Sequence, residues 1–180
     1  MRRLALLILA ALSLRPAEAQ EGDIALSVKA AYLLKIQPFI TWPAAAFADG
    51  QSPFTLCVAG PDPFGGLLER AVAGQNFAGR AETVRRLRDA GEAAGCQILY
   101  IASTDPLTLR QGSDAVRGRP VLIVTDGVQE ADARGMINFL VIDDRVRFTI
   151  DDDAAVANGL DISSKLLSLA VSVRHQGVKE

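Results

Sequence analysis

The sequence predicts an α/β protein: a mostly parallel sheet flanked by helices, with a C-terminal β-hairpin and a closing helix. Three observations carry this. Apolar runs of strand length recur at Phe54–Ala59, Cys96–Ala102 and Pro120–Thr125, without the alternation of a half-exposed strand, as strands buried on both faces require. Helix-like segments separate them, so strand and helix alternate along the chain. Two alternating segments, Ile137–Ile142 and Arg145–Ile150, flank Asp143-Asp144, which suits a two-residue hairpin turn. A length of 180 residues fits one domain, and 49% hydrophobic with 22% charged residues excludes wholesale disorder.

In chain order, Val28, Tyr32, Ile36 and Phe39 recur at helical spacing, with Lys29, Lys35 and Gln37 between them. This predicts an amphipathic first helix ending near Pro38 or Trp42-Pro43, with Phe39 and Trp42 in the core. After the strand Phe54–Ala59, Gly60-Pro61-Asp62-Pro63 is a turn. Phe64–Ala73 resumes a helical pattern that Gly74 stops. Ala81–Leu87 reads as a strand with Val84 inward. Cys96 opens the next strand. Asp105-Pro106 supplies the cap and first position of a helix to Val116. In the hairpin, Val141 faces Val146, Phe139 faces Phe148 and Ile137 faces Ile150, all on the core face. The second face then carries Asn138, Leu140, Ile142, Arg145, Arg147 and Thr149. Asp161 is the expected cap of a final helix with the stripe Ile162, Leu166, Leu169, Ala170 and Val173.

The first 19 residues have the three parts of a secretory signal peptide. Arg2 and Arg3 are the positive start, Leu4–Leu14 the apolar run, and Ala17-Glu18-Ala19 the cleavage pattern. The run is well short of the ~20 residues that span a bilayer. The mature chain, Gln20–Glu180, is expected to be exported and soluble. It keeps 16 basic and 20 acidic residues, a net charge of −4. No Lys/Arg-rich run occurs, so duplex nucleic acid is not an expected partner. Cys57 and Cys96 are the only two cysteines. An even count in an exported chain favours a disulfide between them. The alternative is two buried thiols acting as small apolar residues.

Tests for chemistry find little. The only histidine, His175, lies near the chain end, and no Gly-x-Ser-x-Gly elbow exists, so a Ser/His hydrolase is not expected. Zinc-ligand spacing is missing. Asp151-Asp152-Asp153 and Asp143-Asp144 lack the calcium-loop pattern; the first cluster reads better as a helix N-terminus. Gly60–Gly66 follows a strand and opens a helix but is neither a dinucleotide nor a Walker loop, and Asp62 would repel phosphate. No catalytic residue, cofactor or metal is therefore assigned. What remains is surface. Leu140 and Ile142 beside Arg145 and Arg147 combine apolar anchors with arginines, as interface centres do. Arg174, at the end of the last predicted helix, is an added candidate. The competing reading is that a helix covers this face.

From Val28 to Val173 the ordered motifs resemble the YfiR family of periplasmic regulators. They begin with Val28-Lys29-Ala30-Ala31-Tyr32-Leu33 running to Trp42-Pro43. Cys57 then leads to Gly60-Pro61-Asp62-Pro63-Phe64-Gly65, and Cys96–Ile101 and Val124-Thr125-Asp126 follow. The series continues with Gly135-Met136-Ile137-Asn138-Phe139 and Val146–Ile150, and closes on Gly159–Ala170. The resemblance implies a Rossmann-like α/β fold, a homodimer and no catalysis. It also implies binding to the periplasmic sensor of an inner-membrane diguanylate cyclase. That inhibition would lower cyclic-di-GMP and biofilm formation. An outer-membrane, peptidoglycan-binding lipoprotein would sequester the inhibitor, with redox state as a further input. Here redox control could act only through Cys57 and Cys96. A rival reading is a periplasmic module binding a small ligand or cell-wall fragment near Gly60–Gly66.

Overall fold

The six residues of strand β2 (Phe54–Ala59) are all buried. Strands β5 (Ile98–Ile101) and β6 (Leu122–Asp126) are buried almost throughout. Continuous apolar sequence and two-sided burial thus go together, and the sheet has helices on both faces. The computed structural model describes residues 17–175, with side chains from Gly22 onward. The sheet is completed by β3 (Asn76–Phe77), β4 (Arg80–Leu87), β7 (Ile137–Ile142), β8 (Arg145–Asp151) and β10 (Ser172–Arg174). Its eight strands run in the order β10-β8-β7-β6-β5-β2-β4-β3. They pair in parallel except at β7–β8 and β3–β4. A separate antiparallel pair joins β1 (Ile40–Thr41) to β9 (Asp161–Ile162).

On one face lie α1 (Ala17–Lys35) and α2 (Leu67–Val72). Tyr32 of α1 stacks on Phe139 and meets Phe148 edge-on, and Phe64, just before α2, meets Tyr100. The opposite face holds α3 (Pro106–Ala115) and α4 (Asp152–Ala157). Gly112 of α3 lies so close to Ile101 that a Cβ there would stand 2.7 Å from its Cδ1. Asn158, which ends α4, donates to the Val116 and Val121 carbonyls. Both helices start as the sequence predicts. Asp105 accepts from Thr108 N at 2.8 Å, and Asp151 accepts from Ala154 N at 3.1 Å.

Several expectations are corrected. The first helix is rotated from its predicted phase: Val28 is 37% exposed, whereas Lys29 is only 9% exposed. Lys29 can turn inward because its Nζ meets Asp126 Oδ2 at 2.6 Å. A paired cation is tolerated where an unpaired one is not. Gln37 is buried for the same kind of reason, donating to Leu33 O and Glu82 Oε2. Trp42 is core, but it sits outside the helix and meets Phe54 and Phe77 edge-on. The closing helix reduces to α5 (Ser164–Leu167), capped by Ser163 and not by Asp161. Asp161 belongs to β9, where Ile162 pairs with Ile40 and holds the chain extended. Leu169 is exposed, and Ser172–Arg174 joins the sheet as β10, parallel to β8. The antiparallel pair β7–β8 is therefore internal to the sheet, because a later strand takes the edge beside it. The signal-peptide residues 1–16 lie outside the described residues, and the expected cleavage point after Ala19 falls within α1.

The burial of Glu82 has a testable consequence. Burial holds its carboxyl above the usual range, opposed by the hydrogen bond from Gln37. A raised carboxyl means that ionised Glu82 costs stability at neutral pH. The cost vanishes below about pH 4.5, where the group is protonated folded or unfolded. Glu82→Gln is expected to raise the melting temperature slightly at pH 7, with the gain shrinking as pH falls to 4. Melting curves across that range check it.

Candidate partner-binding surface

β7 and β8 pair in the register the alternation predicts. Ile137 lies opposite Ile150, Phe139 opposite Phe148, Leu140 opposite Arg147, and Ile142 opposite Arg145. The two-residue turn uses Asp143 and Asp144 at φ +48° and +56°. Acidic side chains tolerate this left-handed backbone better than most. β6 pairs with β7 only over Ile137–Phe139, and β10 pairs with β8 only over Thr149–Asp151. Leu140–Phe148 therefore projects beyond its neighbours as a two-stranded ribbon.

This overhang decides which predicted residues are free. Ile142, Arg145 and Arg147 are exposed and Leu140 is half-buried. Among the described residues, no ion pair or side-chain hydrogen bond engages either arginine. Val141, expected in the core, is 52% exposed because it lies past the end of β6. Asn138, expected on the open face, is 1% exposed. Its side chain accepts from Thr125 Oγ1 and Val128 N and donates to Val128 O, so the 128–134 loop covers that end of the face. The face is thus covered at the sheet end, by a loop and not by the helix of the competing reading, and open at the tip.

Arg174 does not join this surface. It pairs with Asp151 at 3.2 Å and donates to Ala131 O, at the far end of β8 from Arg145. Instead the middle and later turns of α1 complete the tip. Ile24, Val28 and Tyr32 face Val141, Arg145 and Arg147 across a groove of about 750 Å³. Sequence reasoning missed Ile24. Its spacing of four from Val28 was the available signal.

At the carboxyl ends of the parallel strands a polar group ties the faces together. Asp126 Oδ2 accepts from Lys29 and, at 3.3 Å, from the Tyr100 hydroxyl. Burial, reinforced by the Asp126 carboxylate, pushes the Tyr100 hydroxyl well above the usual phenol range, so it stays a donor. The Gly60–Gly66 turn is structural punctuation. Asp62 accepts from Phe64 N and from Arg86 Nε, and Arg86 also pairs with Glu69. Beside it, a cavity of about 640 Å³ opens between the ends of β2 and β5, lined by Gly60, Pro61, Ala102, Thr108 and Gln111.

Cys57 and Cys96 form a disulfide with Cα atoms 5.9 Å apart. Both sulfurs belong to buried residues, and Arg85 donates to Cys96 Sγ at 3.1 Å. Among the described residues, no helix is long and apolar enough to cross a membrane.

The chain matches no curated protein sequence. A family model described as YfiR/HmsC-like matches residues 26–171. That span runs from α1 almost to β10 and includes both cysteines, the hairpin and the Lys29–Asp126–Tyr100 group. On this match the chain belongs to the YfiR/HmsC-like family.

Proposed function

We propose that the protein is a periplasmic, non-enzymatic regulator that binds the periplasmic sensor of an inner-membrane diguanylate cyclase and inhibits it. Cyclic-di-GMP and biofilm formation fall as a result. Family membership supports a regulatory role. The observation that carries the binding surface is the projecting hairpin tip, where Leu140 is half-buried, Ile142, Arg145 and Arg147 are exposed, and neither arginine has an ion pair among the described residues. Inhibition follows from higher affinity for one state of the sensor than for the other. An outer-membrane, peptidoglycan-binding lipoprotein would compete for the regulator, and the acting species is a homodimer.

Leu140→Asp with Ile142→Asp is expected to abolish repression while leaving the circular dichroism spectrum unchanged, because both side chains lie on the overhang. Cellular cyclic-di-GMP, measured beside the wild type, is the readout. Unchanged repression rejects this surface. Crosslinking the exported chain in living cells then identifies the membrane partner.

The cavity between the ends of β2 and β5 supports a second reading, a small-ligand module. The strand order reverses there, since β4 and β5 lie on opposite sides of β2, and open α/β sheets place ligands at such points. Gly65 and Gly66 do not line the cavity, so this reading shifts from the turn as a whole to Gly60 and Pro61. Thermal-shift screening of metabolites and muropeptides tests it, because a specific ligand raises the melting temperature by mass action.

A further inference from the structure

We infer that the groove between α1 and the hairpin tip receives an extended segment of a partner protein, added to the sheet as a strand on the open edge of β8. The segment alternates apolar and acidic residues. This rests on the reading of the hairpin tip as the docking surface and specifies what docks there.

The backbone supplies the first argument. Phe148 O accepts from Val171 N at 2.9 Å, so the polar groups of Phe148 point away from β7. Two residues earlier, Val146 points to the same edge by the period of the strand. β10 begins only opposite Thr149, and Leu169, the residue level with Val146, folds back to bond Leu166 O. The Val146 N–H and C=O therefore point to the part of the β8 edge that β10 does not pair, although Val146 as a whole is only 8% exposed. Unpaired edges of this kind are templates for another strand.

Side chains set the composition. An added strand alternates between the two faces of the sheet. On one face it meets the apolar wall of Ile24, Val28 and Val141, respectively 57%, 37% and 52% exposed. On the other it meets Arg145 and Arg147. Among the described residues neither arginine has an ion pair, so past the two turn acids, Asp143 and Asp144, they select acids at the positions level with them. Asp144 marks the turn end of the groove, so the acidic positions sit beyond it, over the two arginines.

The test uses the full mature chain and a fluorescein-labelled peptide, acetyl-(Glu-Val)₃-amide. Fluorescence anisotropy should show saturable binding. Arg145→Glu with Arg147→Glu, and separately Val28→Asp, should weaken it at least tenfold; all three positions are exposed, so the fold is retained. The Lys-Val peptide and an alternately N-methylated Glu-Val peptide should not bind. Hydrogen exchange at the Val146 amide should slow at least tenfold with the Glu-Val peptide. No saturable binding, equal binding of the Lys-Val peptide, or binding without protection of Val146 overturns strand addition. If the peptide fails while Leu140→Asp with Ile142→Asp still abolishes repression, strand addition alone is rejected. If repression is unchanged, the docking surface itself is rejected.

Discussion

Removing the Cys57–Cys96 disulfide is expected to lower the melting temperature by about 8–16 °C. The bridge closes a loop across a sequence separation of 39. Restricting the unfolded chain to that extent is worth about 4 kcal/mol in the chain-entropy model, and each kcal/mol moves the midpoint by ~2–4 °C at this size. The native state supplies little compensation. Cys57 is in the middle of β2, between β4 and β5, and Cys96 sits where the 92–96 turn enters β5. Arg85 already holds that turn through the Glu92 and Ala94 carbonyls, so the reduced protein should keep its topology. Cys57→Ala with Cys96→Ala, melted beside the wild type, tests this. A shift below 3 °C would show that the bridge is not a main constraint on the unfolded chain. Because both cysteines are buried, a reductant should act slowly under native conditions and quickly in mild denaturant. A redox input would thus have to work through local opening.

Gln97→Leu is expected to cost about 3–5 kcal/mol, although it replaces a polar side chain by an apolar one of similar size. Gln97 is 1% exposed. Its Oε1 accepts from Thr55 N at 2.7 Å and its Nε2 donates to Ala46 O at 2.5 Å. The side chain stitches the start of β2 to the 44–46 turn. Its own carbonyl receives Trp42 Nε1 and Leu122 N. Leucine would strand the Thr55 N–H and the Ala46 carbonyl in a site closed to bulk solvent. Burying an unmet backbone group costs more than the added apolar contact returns. Urea unfolding should show a lower midpoint with an unchanged slope. A loss under 1 kcal/mol would mean that the turn relaxes to rescue both groups.

The disulfide and the buried Gln97 amide were unequally legible. A cysteine pair in an exported chain announces itself by count and compartment. Gln97 sits beside Cys96 with nothing to mark it, since a buried amide is defined by partners that are distant in sequence. Lys29 is similar. Helical spacing placed it between apolar neighbours, on the solvent side, and only Asp126, 97 residues away, draws it inward. Short strands were the other loss. β1, β3, β9 and β10 have two or three residues each, too few for any period to register, and β9 and β10 take the two ends of what reads as one continuous helix.

Local pattern by itself determined the alternation of strand and helix, the hairpin register, the cap at Asp105, the helix N-terminus at Asp151-Asp152-Asp153, and the pairing candidates Cys57 and Cys96. These depend on neighbours within a few residues, or on a count. It also picked out Leu140, Ile142, Arg145 and Arg147 by residue type. Tertiary structure alone decided that Ile142, Arg145 and Arg147 are exposed and Leu140 half-buried while Asn138 is covered and Arg174 is tied to Asp151. Exposure at the tip is set by where β6 and β10 stop, and strand ends are fixed by pairing between segments far apart in the chain. The same pairing brings Val146 to one groove with Ile24 and Val28, a juxtaposition of residues more than a hundred positions apart. Periodicity reports which side of its own element a residue occupies; only the assembled sheet sets what, if anything, lies on that side.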